Sequence, residues 1–106
     1  MENYQSNLEA FVVAITEEIR KHTNQRFPNL TPEVLSVHPG KKYDKIVSGR
    51  PGSEYGSAYC FIRREDGAIL KAGGWVTPAK GVRGYITDAN YGWGKAVGPY
   101  GAAYLR

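Results

Sequence analysis

Apolar residues recur at helical spacing near the start of the chain: Leu8, Phe11, Val12, Ile15 and Ile19 fall on one stripe, with polar positions between them. Such a stripe predicts an amphipathic helix over about residues 6–25. Ser6 and Glu9 have the S-x-x-E spacing of a capping box, in which each side chain satisfies a backbone amide at the helix start. Pro28 disfavours helical geometry at Phe27, and Thr31-Pro32 repeats the restriction, so the chain is predicted to leave the helix between Asn24 and Phe27.

The pattern then changes to short runs of β-branched and aromatic residues separated by turn residues. This predicts an antiparallel meander with strands near Val34–His38, Tyr43–Ser48, Ser57–Arg64 and Ala68–Ala72. Alternation along the third strand sets Tyr59 and Phe61 on one face and Ala58, Cys60 and Ile62 on the other, so both faces are covered and the strand is central. Glu65-Asp66-Gly67 reads as the turn of a hairpin joining the third and fourth strands. The segment from Gly49 to Gly56 is too rich in Gly and Pro for a tight turn and reads as a mobile loop between the second and third strands.

All 13 glycines fall at or after Gly40. From Gly73 onwards the chain reads as irregular loops with one strand near Tyr85–Thr87, and Gly98 to Leu105 is apolar enough to pack back on the core. The expected fold is α+β in one domain spanning residues 1–106: an N-terminal amphipathic helix packed on a small antiparallel β-meander over about 34–72, followed by a Gly-rich irregular region over about 73–106. At 106 residues, two separate cores would each bury too little apolar surface to offset their conformational entropy.

Charge changes this picture when it is divided along the chain. Residues 1–37 carry five acids and three bases, net −2, whereas residues 38–106 carry five acids and eleven bases, net +6. The basic part would concentrate anions such as phosphate, nucleic acid or an acidic protein; a merely solubilising face is the alternative. No apolar run reaches the roughly 18 residues needed to span a bilayer, and the start Met1-Glu2-Asn3-Tyr4 lacks the basic region of a signal peptide. No membrane partner is expected. Cys60, the single cysteine, suits a reducing compartment.

Catalytic chemistry finds little support in the residues. His22 lies on the polar flank of the predicted helix and His38 in a different element, and mid-strand burial would make Cys60 an inert thiol. Glu65 and Asp66 are explained by their turn, and no spacing matches a metal site, so neither an enzyme nor a bound metal or cofactor is expected. Gly92-Trp93-Gly94-Lys95 fails as a phosphate-binding P-loop, because Ala96 stands where a magnesium-binding Ser or Thr belongs. Gly81-Val82-Arg83-Gly84 matches a KH-type GxxG, but the flanking Pro78 and Tyr85-Ile86-Thr87 do not form the helices that motif joins.

The remaining feature is composite. Lys71, Lys80, Arg83 and Lys95 are interleaved with Trp75, Tyr85, Tyr91 and Trp93 on glycine-rich backbone. Aromatic faces stack on bases, cations meet phosphates, and glycines let backbone amides approach an anion. Lys71, Trp75, Lys80, Arg83, Tyr85, Trp93 and Lys95 are therefore the candidate ligand-binding residues, with core or rim packing of the aromatics as the competing account.

Tyr59-Cys60-Phe61-Ile62, the run from Asp66 to Trp75, the run from Pro78 to Gly84 and the ending from Gly98 to Arg106 resemble a recurrent type of small tailed-phage protein. The resemblance covers about residues 43–106 and carries no activity or site. It implies expression inside a bacterial host, in the host cytoplasm or the virion. The function expected is non-enzymatic: binding of a nucleic acid or a phosphorylated nucleotide through the basic aromatic surface, sequestering it. The alternative is a protein-interaction or virion component that meets a host or phage protein, or a second copy of itself, through Tyr and Trp.

Overall fold

The computed structural model describes residues 3–53 and 56–103. The elements run in the order α1 (Tyr4–Arg26), β1 (Val34–His38), β2 (Tyr43–Gly49), β3 (Ser57–Arg63), β4 (Ala68–Ala72), β5 (Pro78–Tyr85), a 3₁₀ turn (Ala89–Gly92), β6 (Val97–Gly98) and β7 (Gly101–Ala102). The first five strands form one antiparallel sheet in sequence order, and β6 and β7 form a separate small hairpin. The α+β architecture is thus the one that the hydrophobic pattern predicts, with β3 at the centre of the sheet.

Helix α1 buries Tyr4, Leu8, Phe11, Ile15 and Ile19, a stripe at i, i+3 and i+4 spacing. It starts two residues earlier than the pattern predicts, and the expected capping box is absent. Asn3 is the N-cap, in a left-handed conformation and without a side-chain cap, while Ser6 and Glu9 are exposed helical positions. The cause is Tyr4, whose hydroxyl donates to Asp44 Oδ2 at 2.8 Å and holds the first turn against the sheet. At the other end the Phe27 amide closes on the Thr23 carbonyl, and the chain leaves the helix just before Pro28.

Asp44 is buried on β2 and binds three parts of the chain at once. Besides the Tyr4 hydroxyl, its carboxylate accepts the Gly40 amide at 3.1 Å and the Arg64 guanidinium at 2.9 Å. The β1–β2 turn closes so tightly around it that a side chain at Gly40 would stand 2.4 Å from the Tyr43 carbonyl oxygen.

Alternation fails at one position of β3. Ile46 pairs with Cys60 but Val47 with Ala58, so Tyr59 is the extra residue of a β-bulge. The bulge turns Tyr59 into the same core cluster as Cys60 and Ile62, rather than onto the Phe61 face, and its hydroxyl donates to the Gly98 carbonyl at 2.5 Å. The β3–β4 hairpin turns at Gly67 as expected, with Asp66 accepting both Arg63 and the Ala68 amide.

The region after Gly73 is more regular than its composition implies. Pro78–Tyr85 is a strand, because β5 lies at the sheet edge, where a missing amide and flexible glycines are tolerated. The strand expected at Tyr85–Thr87 is only the end of β5, and Ile86 turns into the core. Ala96, Val97 and Ala102 join the same cluster as α1, so the helix and the C-terminal hairpin share one face of the sheet. Gly101, at φ 137°, lets β7 approach the Tyr59 backbone, where a side chain would meet the carbonyl oxygen at 2.9 Å. Glu54 and Tyr55 of the β2–β3 loop, and the ending Tyr104 to Arg106, lie outside the described residues.

Two predictions follow from this core. Asp44→Ala, which strands the Tyr4 hydroxyl and the Gly40 amide, is expected to cost about 2–4 kcal/mol in urea unfolding, and Asp44→Asn less. A Tyr4→Phe/Asp44→Asn pair is expected to cost less than the sum of its single changes; full additivity would show that the two groups do not cooperate.

The second prediction concerns alkali. Burial pushes the Cys60 thiol and the Tyr4 and Tyr59 phenols upward, and for Tyr4 the Asp44 carboxylate adds to the effect. The folded protein keeps these protons while the unfolded chain releases them above the ordinary values of 9.0 for Cys and 10.0 for Tyr. Stability is therefore fully present below pH 9 and falls above it, by about 1.4 kcal/mol per pH unit for each group that ionises only when unfolded. Denaturation midpoints measured across this range check the slope, and Cys60→Ala is expected to remove its earliest part.

Candidate functional site

The seven residues singled out from the sequence do not come together at one place. On β2, Asp44 and Ile46 point to the helix and core, so Tyr43 and Lys45 project from the opposite, outer face. The register sets His38 beside Lys45 and Phe61 beside Leu70 on that same face.

Trp75 belongs to the outer face. The β4–β5 connection closes through Gly73 and Gly74 amides on the Thr77 carbonyl and carries Trp75 back over β2. Lys45 Nζ lies 3.7 Å from the centroid of the indole and donates to the Trp75 carbonyl at 3.1 Å, while the His38 ring meets the indole edge-on at 6.4 Å. Trp75 as a residue stays 48% exposed. Nearby, Tyr43 packs edge-on against the buried Phe61, and Lys42 approaches the Tyr43 ring at 5.7 Å. Cations and aromatic rings are thus interleaved on one sheet surface, each ring in place before any ligand arrives.

Trp93 lies on the other side. It packs half-buried against the core and, with Ala14, Glu18, Asn90 and Tyr91, lines a groove of about 340 Å³ between α1 and the 3₁₀ turn. Asn90 and Tyr91 both adopt left-handed backbone conformations there, at φ 54° and 55°, to turn the chain within two residues. Lys95 is exposed just beyond that turn.

Arg83 is occupied by the fold. Ile69 pairs with Gly84 but Leu70 with Val82, which leaves Arg83 as the extra residue of a second bulge. Its guanidinium donates to the carbonyls of Ala103 at 2.9 Å, Lys80 at 2.7 Å and Gly81 at 2.6 Å, pinning the C-terminal segment to the sheet edge. The Gly81-Val82-Arg83-Gly84 motif is strand, where Gly81 has a positive φ of 98° and a side chain at Gly84 would collide with Ala96. Lys80 is exposed on β5, Tyr85 is partly exposed with its amide held by Asp88 Oδ2, and Lys71 is half-buried at the end of β4.

Among the described residues no three His, Cys, Asp or Glu side chains come together to hold a metal ion. Cys60 is enclosed, and burial drives its thiol away from ionisation, so no nucleophile is offered there. His22 is partly exposed on α1, with its ring edge-on to Tyr100 at 5.9 Å and its Nε2 buried without a hydrogen-bond partner.

With the geometry in place, family membership adds its own boundary, because a family of unknown function (DUF7717) matches residues 1–96. The chain belongs to that family. No curated protein and no solved structure matches it. The DUF7717 segment contains α1, the whole five-stranded sheet and both tryptophans, and it stops before the β6–β7 hairpin. No helix among the described residues is long and apolar enough to cross a membrane.

His38, Lys42, Tyr43 and Lys45 escape a reading based on the glycine-rich C-terminal region. The signal for them is the alternation of β2, which sends Tyr43 and Lys45 to the face opposite Asp44 and Ile46. Arg83→Ala is expected to lower stability by about 1–3 kcal/mol, and Arg83→Lys to recover little of it, because an ammonium lacks the planar fork that serves several carbonyls. Thermal unfolding checks this; unchanged stability in both variants would show that the clamp contributes nothing.

Proposed function

We propose that the protein is a non-enzymatic binding module that takes a single-stranded nucleic acid or a phosphorylated nucleotide on the outer face of its sheet, centred on Trp75. The observation that carries this reading is the Lys45–Trp75 pair: an ammonium 3.7 Å from the indole centroid, on a residue that stays 48% exposed. Such a ring offers a surface on which a base stacks, and the ammonium beside it meets a phosphate. Lys42, Tyr43 and His38 extend the same chemistry along β1 and β2, and the net +6 of residues 38–106 supports attraction of a polyanion. The phage resemblance, with its host-cytoplasm setting, fits sequestration of such a ligand.

A protein partner is the second reading, favoured by Val76, 76% exposed beside Trp75. The two are separated by fluorescence anisotropy with labelled oligothymidylate and oligouridylate, and by thermal shift with mononucleotides and cyclic and linear dinucleotides, at low and high salt. Trp75→Ala is expected to weaken oligonucleotide binding by about 5- to 150-fold, matching about 1–3 kcal/mol per stacked base. Lys45→Ala should weaken it too and flatten the salt dependence, whose slope is about −0.7 per phosphate on a single strand. If Lys80→Ala and Lys95→Ala weaken binding while Trp75→Ala and Lys45→Ala do not, the outer-face site is wrong. A response to none of these ligands would move the assignment to a protein partner.

A further inference from the structure

A second site, built from different residues, lies at the far end of α1. The last turns of the helix, the chain entering β1, the end of β2 and the tip of the β6–β7 hairpin enclose a groove of about 540 Å³, within the size range of small-molecule sites. Its walls include Ile19, Phe27 and Leu30, and the latter two are 45% and 56% exposed although they are large and apolar. Burying these surfaces is a driving force that the fold leaves unused.

Two polar groups of the groove are also unspent. His22 Nε2 is shielded from water and has no hydrogen-bond partner, a state that is unfavourable in a folded protein and calls for an explanation. The Arg50 side chain makes no ion pair or hydrogen bond among the described residues. The remaining charged group in the lining, Glu33, stands next to Arg50 by extension of the β1–β2 ladder, yet it is bound instead by the Ser48 hydroxyl at 2.8 Å. Tyr100 covers His22: it sits at the hairpin tip, 83% exposed, and its ring touches the imidazole edge-on. Access of a ligand to Nε2 would require the exposed Tyr100 ring to turn away from His22.

We propose that this groove binds a small organic carboxylate with an aromatic or aliphatic body. The body lies against Ile19, Phe27 and Leu30, and the carboxylate accepts hydrogen bonds from His22 Nε2 and, at the rim, from the Arg50 guanidinium. A carboxylate supplies an acceptor for the buried imidazole and an anionic partner for Arg50, which forms no ion pair among the described residues although Glu33 stands nearby. A neutral ligand satisfies only the first need, and an organic cation neither.

The test is NMR titration of the full chain with phenylacetate, indole-3-acetate and octanoate, following the His22 imidazole and Tyr100 ring signals. Benzyl alcohol and phenethylammonium serve as neutral and cationic controls. Saturable shifts at both residues with at least one carboxylate, and weaker or no shifts with the controls, are expected. Arg50→Gln, at an exposed rim position, is expected to weaken binding about tenfold, the worth of one charge-assisted hydrogen bond. His22→Phe, which keeps a ring of similar shape, should abolish the shift at Tyr100. The proposal is overturned if no carboxylate saturates these signals up to about 10 mM, a concentration above any specific affinity of interest. Equal binding by phenethylammonium, or undiminished binding by both variants, would overturn it as well. Because none of these residues belongs to the Trp75 face, either site can fail while the other stands.

Discussion

Among the described residues Asp44 is the single charged side chain that the core encloses, and the rest of the fold is arranged around its three partners. A buried carboxylate is costly unless its lone pairs are occupied. Here the occupants come from the start of α1, the β1–β2 turn and the end of β3, elements far apart in sequence. Satisfying Asp44 therefore fixes where the helix begins, how the turn closes and which way β3 ends. The Arg64 side chain is partly exposed, so the charge is balanced at the rim while the phenol and amide serve it from within. This explains why α1 starts at Tyr4 instead of at a capping box: a capping box is local and weak, whereas the Tyr4 hydroxyl satisfies a buried ion.

The helix stripe and the first four strands were legible because their signals are local. Spacing of Leu8, Phe11, Ile15 and Ile19 marks the helix face, and Glu65-Asp66-Gly67 marks a hairpin whatever lies around it. What the sequence hid are the register shifts, one between β2 and β3 and two between β4 and β5. A bulge is a mismatch between partners, so it depends on a pairing register that no single strand displays. Tyr59 obeys alternation in its own strand and still points to the other face. Arg83 resembles a free cation on a glycine-rich loop and instead closes the sheet edge. Pro78, Gly81 and Gly84 hid β5 for a related reason: they break a central strand, but an edge strand tolerates them, and edge position is a property of the whole sheet.

The same limit applies to the candidate site. Trp75 and Trp93 look like members of one cluster because they are close in sequence and share aromatic chemistry. The sheet separates them, sending Trp75 to Lys45 and His38 and Trp93 to the flank of α1. Of the seven residues named from sequence, Trp75 keeps exposed chemistry beside a cation, whereas Arg83 is spent on carbonyls. The cation that matters for Trp75 comes from β2, thirty residues earlier.

A single layer of sheet with one helix covers only part of its own surface. Here α1 and the β6–β7 hairpin share the core face, so the outer face rests on the β4–β5 connection, and Trp75 is the side chain that reaches back across it. The seam where α1 meets the hairpin stays open, leaving Phe27 and Leu30 in view and His22 with an unanswered nitrogen. Both places are consequences of covering a five-stranded sheet with too few elements, and each holds a different residual chemistry. The outer face combines cations with flat rings, which suits phosphate and base. The seam combines an apolar wall with one imidazole and one arginine, which suits a small acid.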